Sequence, residues 1–443
     1  MFRYGFAREI ITPVLGVPLC GYFNPRPNTG VYDDLSVKAL VLEGADGKCS
    51  GIVSFDLCFL ETGLTGRFQK ALKEAGLDFA DRILFCATHS HTAPYPSRFF
   101  GADPDQEYLD FLVRKTVCAV MRAWRNLAPG ELLKGETSCD TLAFNRRYWM
   151  KDGKVLTNPG KRNPEIVRPE GPVDGRIPIL AFRHGAMIDF LLVNIVNHTD
   201  TIGGNVVSAD WPGRMERALQ NHFGFDIPVM MLPGCSGNIN HFDVRSDSDQ
   251  TSYEEACRIG QEYARVIARA LDSLKTVPAG QITVDSSVIQ IPFREISEEE
   301  ALRAEALLER VKESASEEDM TSEGLASGDG PVARFFAGQL LAYRKRCSGR
   351  TRDFTLLSIK FGNDIGIVSL PGEPFTEIGM SIRAASRFPL TLVASLGMGS
   401  CGYVPMPECF SRGGYEILPV EGGAPAEDTA LRLIEAGKAL INR

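Results

Sequence analysis

Short apolar runs recur along the chain, and most of them stop abruptly at small or reactive residues. Residues 37–44, 51–60, 83–86, 176–182, 188–196, 227–232, 280–292, 364–370 and 390–396 read as strands on this pattern. Between them, apolar positions fall at helical spacing. Leu109, Leu112, Thr116, Val120 and Ala123 define a packing helix within 105–127. Further helices are expected over 64–75, 211–222, 254–274 and 425–441, the second with Pro212 in its first turn. Strands alternating with helices predict an α/β fold: a single catalytic domain, 1–443, on a mixed or parallel sheet.

Three stretches depart from that rhythm. Residues 1–36, with Pro13, Pro18, Pro25 and Pro27, are expected to be irregular. Residues 151–175, rich in Gly, Pro, Lys and Arg, read as a long surface excursion. Ser297-Glu298-Glu299-Glu300 is a capping-box start, and Ala301, Ala304, Leu308 and Val311 continue it as an apolar stripe. With polar 313–330 as a mobile surface loop and a returning helix over 333–346, this predicts a helical hairpin at about 297–346 attached to the main body.

Composition narrows the class of function. Hydrophobic residues make up 44% and charged residues 23%, as in an ordinary globular protein. A net charge of −8 without a Lys/Arg run argues against a nucleic-acid partner and leaves a small-molecule substrate. No apolar run is long enough to span a bilayer. The N-terminal MFRYGFAREI lacks the apolar core of a signal peptide, so a cytoplasmic location is expected. The eleven cysteines form no CxxC pair and read as reduced thiols. A homo-oligomer is compatible with all of this.

Candidate chemistry collects where the apolar runs end. Residues 83–86 give way to Thr88-His89-Ser90-His91, and on extended backbone His89 and His91 point the same way. Such a pair suits a borderline cation such as Zn²⁺, or a metal ligand beside a general base. Later runs end at Asn197-His198-Thr199-Asp200, at the glycine turn 234–238, and at Pro371-Gly372-Glu373. In open α/β sheets the loops beyond the carboxyl ends of the strands form the ligand crevice, so His89, His198 and Glu373 can meet there. Two histidines and one carboxylate are the ligand set of a catalytic zinc. Adjacent Arg146 and Arg147 suit an oxyanion or carboxylate. Asp56 reads as a satisfied polar group near a sheet end. Gly234-Cys235-Ser236 offers a different chemistry, a serine hydrolase pairing Ser236 with a histidine such as His241. Asn238 stands where a nucleophile elbow closes with glycine.

At these residues the chain resembles the neutral/alkaline (non-lysosomal) ceramidase family. THSHTAP at 88–94 is similar to its THTHSGP signature, and LPGEPFTEIGMSIR at 370–383 to its PGEF segment. Gly402-Tyr403-Val404-Pro405, with Tyr415-Glu416 further on, is similar to its GYV…YEG segment. Weaker similarities at 7–13, Asn145-Arg146, His198 with Ser208-Ala209-Asp210, and 234–240 fall in the same order. The resemblance implies a zinc held by His89, His198, Glu373 and Tyr403. It also implies that His91, Arg146 and Tyr415 contact the substrate amide or the attacking water. Tyr403 as a ligand comes from the resemblance alone. The glycine turn departs from the family's GDxSPN form, and only the catalytic domain is expected, without the immunoglobulin-like C-terminal domain.

The expected activity is hydrolysis of an amide, or an ester or lactone, by metal-activated water. His91 would shuttle the proton, and Arg146 and Tyr415 would stabilise the oxyanion. A smaller, more polar substrate than ceramide is expected, because Lys151, Lys154, Lys161, Arg162 and Arg168 crowd one excursion. A metal-dependent lyase or carbohydrate-processing enzyme is the other use of such a site.

Overall fold

The computed structural model describes residues 2–278, 280–311 and 330–443; the loop expected at 313–330 lies outside them, except for Gly330. Three mixed sheets form its frame, and each is made by one stretch of chain in the same order. In the first, β1 (Arg3–Ile10), β2 (Ser36–Glu43) and β3 (Cys49–Phe55) pair antiparallel in sequence. Helix α1 (Thr62–Glu74) crosses over, β4 (Ile83–Ala87) joins β3 in parallel, and α2 (Gln106–Arg125) follows. The second repeats this with β5 (Glu131–Ser138), β6 (Arg176–His184), β7 (Met187–Ile195), α3 (Asp210–Phe223), β8 (Val229–Pro233) and α4 (Tyr253–Ala270). The third opens with β9 (Ile282–Pro292), takes the inserted α5 (Glu298–Arg310) and α6 (Gly330–Arg346), and continues with β10 (Thr351–Phe361) and β11 (Ile365–Ser369). It closes with α7 (Thr376–Ala384), β12 (Leu390–Ala394) parallel to β11, and α8 (Thr429–Ile441). The chain is thus a β-β-β-α-β-α unit used three times.

The apolar runs explain which strands lie inside. β4, β8, β11 and β12 are buried at every position, as a strand covered on both faces requires. The opening strands are more polar, and two of them depart from the sequence reading. β1 lies within the segment expected to be irregular, and β5 was not anticipated. Charges interrupt the apolar pattern of β1, yet each has a partner: Arg3 pairs with Glu43 (2.9 Å), Arg8 with Glu216 (3.1 Å) and Glu9 with Lys115 (2.9 Å). In β5 only Leu132 and Leu133 are buried, so alternation is scarcely visible.

The closing strands of the three units meet at the centre. Ser395, one residue beyond β12, donates its amide to Pro233 O (2.9 Å) and its hydroxyl to Gly234 O (2.7 Å) at the end of β8. Its carbonyl accepts the Cys86 thiol of β4 (3.1 Å). One apolar cluster runs through all three sheets, including Phe55, Phe182, Met230 and Ile367.

Topology then fixes where the long connections fall. Within a unit the first and third strands run in the same direction, so the loop leaving the first strand emerges beside the carboxyl ends of the third and fourth. Residues 11–35, 139–175, and 293–311 with 330–350 therefore all hang over one end of the molecule. The second of these is not the bare excursion expected, since Arg147–Met150, Val155–Thr157 and Ile166–Pro169 pair as a small sheet. Its charges bind its own surroundings: Lys151 faces Glu165 (3.4 Å), Arg162 faces Asp247 (2.9 Å), and Arg168 lies over Trp149. The third carries α5 and α6, with the expected Ser297/Glu300 capping box in place. Among the described residues no helix is long and apolar enough to cross a membrane.

Candidate metal centre

The histidine pair leaves its strand earlier than the sequence suggests. β4 stops at Ala87, and His89 takes a left-handed φ of 76°. The turn is tied down by amides of Thr88, His89 and Ser90 donating to Phe55 O and Leu57 O (2.8–3.1 Å). His89 and His91 are thus not one pleat apart on extended backbone. The turn instead sets their rings edge to face, with Nε2 atoms 3.2 Å apart. Gly21 makes room for this: a Cβ there would lie 2.6 Å from His91 Cγ, and its φ of 104° suits glycine.

His198 lies three residues beyond β7 and is buried. Its Nδ1 donates to Ile239 O (2.8 Å), as His89 Nδ1 donates to Cys58 O (2.6 Å). A carbonyl can only accept, so both Nδ1 atoms carry the proton and both Nε2 atoms keep a lone pair. Glu373 Oε2 lies 3.2 Å from His89 Nε2 and 3.4 Å from His198 Nε2, buried and without a hydrogen-bond donor. Three electron-pair donors facing one another in a buried space are what a cation relieves, so these residues fit a zinc site. Cys58, His89 and His91 also cluster. That set would need His89 Nδ1, 3.9 Å from the thiol, whose lone pair is spent on a proton.

The remaining residues surround this core. Glu373 and Tyr403 are register partners in a two-strand parallel pair, Glu373–Pro374 with Tyr403–Val404, which sets them side by side. The Tyr403 hydroxyl meets that of Tyr415 at 3.2 Å. Arg146 is a hub rather than an open donor. It reaches Glu416 through Nε (3.0 Å), His198 Nε2 through Nη1 (3.2 Å) and Gly237 O through Nη2 (2.6 Å). Its guanidinium also lies 5.1 Å from the centroids of both tyrosine rings. Glu416 is fully buried and further binds Arg147 (2.6 Å) and Thr157 (2.8 Å). A proton can take the cation's place between His89 and Glu373: against the cost of burial, Glu373 draws the His89 imidazole well above its usual range, and His89 so charged holds the carboxyl well below its own. Burial, reinforced by His89, pushes His91 down to about 3. Burial and then Glu373 push Tyr403 well above an ordinary phenol.

These groups open on a cavity of about 620 Å³, large enough for a drug-sized ligand. His89, His91, Glu373, Tyr403 and Tyr415 line it, as does Asp200. His198 and Arg146 stand behind the wall, 1% and 2% exposed. Of the 151–175 stretch, Asn158 is in the lining, while the basic side chains expected near the substrate point elsewhere. Ser236 is not served by His241, whose Nε2 donates to Gln250 O (2.7 Å) and whose Nδ1 faces Asp200 (3.2 Å). Asp56 accepts from Ser36 N and Oγ (2.9 and 2.7 Å), the ordinary role expected of it.

Sequence reasoning did not assign roles to Glu416, Asp200 or the carbonyls of Cys58 and Ile239. Glu416 directly follows Tyr415 and Asp200 is two residues beyond His198, so adjacency was the available signal. The carbonyls carry none in a sequence.

No family model matches the chain, and no curated protein matches it significantly. Solved structures do. The crystal structure of neutral ceramidase from Pseudomonas aeruginosa matches with a TM-score of 0.74 at 16% sequence identity, over 99% of this chain and 74% of that one. A ceramidase complexed with C2 matches with the same score, identity and coverage. The chain has the fold of neutral ceramidase.

Proposed function

We propose that the protein is a zinc-dependent hydrolase that cleaves an amide bond, with esters and lactones as secondary substrates. The observation that carries this reading is the convergence of His89 Nε2, His198 Nε2 and the donor-free Glu373 Oε2 at the wall of the cavity. Tyr403, beside Glu373, completes the proposed ligand set. The shared ceramidase fold agrees with amide hydrolysis. Such an ion, when bound, supplies Lewis acidity, polarising a carbonyl and acidifying water.

The chain's own groups do the rest. His91 Nε2 faces the donor set and is the atom placed to take a proton from the attacking water. As the C–N bond breaks, His91 returns that proton to the leaving nitrogen. The hydroxyl of Tyr415 lies in the cavity wall, 3.2 Å from that of Tyr403, and donates to the developing oxyanion. Arg146 is a positioning residue: held by Glu416 and the Gly237 carbonyl, it lies against both tyrosine rings.

Elemental analysis of the purified protein, with amide hydrolysis before and after chelation, tests the reading. About one zinc per chain is expected, with activity lost to chelator and restored by zinc. Stoichiometric zinc surviving in a His89→Ala/His198→Ala double variant would overturn it.

A further inference from the structure

The cavity is not uniform. On one side α6 brings Phe336 and Val332 against Phe23 and Phe100, with Phe336 continuing to Tyr415 at 6.5 Å between centroids. Beside this apolar wall three arginines, Arg98, Arg346 and Arg352, line the same space. Two of them converge on one buried carboxylate, Glu421, whose side chain is 4% exposed. Arg98 Nε reaches it at 3.0 Å, Arg346 also binds it, and the amide of Gly101 donates to it at 2.9 Å. Arg352 has no carboxylate partner among the described residues; it donates to Cys347 Sγ (3.1 Å) and lies over Phe293. The group shares its cavity with His89, Glu373 and Tyr403.

Arg98 is also matched by Asp103 (2.8 Å), so two carboxylates serve Arg98 and Arg346, and among the described residues Arg352 alone of the three is left without one, on a half-apolar wall. Guanidinium forks match carboxylates in geometry and charge. We propose that Arg98, Arg346 and Arg352 form a subsite for a carboxylate of the substrate. The amide hydrolysed is then one with an apolar acyl half and an anionic half, of the N-acyl amino acid class. This rests on the amidase reading for the bond broken, but the anion subsite does not depend on it. Glu421 is a positioning residue, holding Arg98 and Arg346 at the cavity edge.

The test uses ketone isosteres that cannot be hydrolysed, so that binding is read apart from turnover. Calorimetry on the zinc-containing protein compares 4-oxoundecanoic acid with 4-oxoundecanamide, which share their shape and differ in charge. The acid is expected to bind at least about tenfold tighter, the scale of one charge-assisted contact. An Arg346→Met/Arg352→Met variant should bring the two affinities together. Arg352→Met alone, at an exposed position, should narrow the gap at least about threefold. Equal binding by the wild-type protein, or a preference unchanged in these variants, overturns the proposal. Hydrolysis of octanoylglycine is followed separately. Its absence alongside a clear acid preference would reject the amidase reading and leave the subsite standing.

Discussion

Glu416 shows how much of the centre depends on residues that never meet a substrate. It is buried with two guanidinium groups, Arg146 and Arg147, and removing it leaves both charges without their shared partner. Glu416→Ala should cost about 3–5 kcal/mol of stability, measured by urea unfolding, because breaking a buried pair costs more than the pair itself contributes. His91 is the opposite case. His91→Ala should keep its zinc and lose about 10²–10⁴-fold in kcat, the size of a general acid–base contribution. Loss of zinc on that substitution would exchange the roles of the two histidines. Gly21→Ala forces a methyl group onto the His91 ring, and should lower kcat by at least about tenfold with metal content unchanged.

At the scale of elements, the buried strands were legible because a strand covered on both faces must be apolar throughout. β4, β8, β11 and β12 announce themselves in this way, and each leads into site residues. β1 and β5 did not, because their outer faces carry charges whose partners lie far away in sequence. The local turn after β4 was also hidden, since nothing in Thr88-His89-Ser90 marks a left-handed residue. Arg146 was legible as a site residue, while its burial behind the wall depends on Glu416, 270 positions away. The start of α3 supplies an element-scale prediction. Asp210 accepts from the amides of Thr201 (2.9 Å) and Ile202 (3.1 Å), and burial raises its carboxyl to about 6, with His241 and Asp200 the charged groups that face it. An unfolded aspartate titrates near 3.9, so between about 4 and 6 the native state holds more protons than the unfolded one. Stability from this group is complete below about pH 4 and is lost as pH rises through 6. Urea unfolding of wild-type protein relative to Asp210→Asn should show that loss, about 3 kcal/mol. A constant difference across pH 4–7 would refute it.

For the whole molecule, three of the four proposed metal ligands come one from each unit: His89 after β4, His198 after β7 and Glu373 after β11, with Tyr403 beside Glu373. The sheets can form by local pairing, whereas the centre exists only once all three are docked. Chelation should therefore loosen the junction around Ser395 and spare the strands. Hydrogen exchange is the measurement: amides at the unit boundaries should lose protection on zinc removal, while those within β3 and β7 keep theirs. Uniform loss across all three sheets would indicate instead a single cooperative collapse.

The three long connections leave the same point of each unit and overhang one end of the frame. In descent from a common ancestor, such a molecule can change its diet without changing its chemistry. Insertions there, of which the α5–α6 hairpin is the largest, alter the chamber while the strand ends that hold the donor atoms stay fixed. Relatives of this fold should then diverge most in length at those three sites and least between the paired strands of each unit.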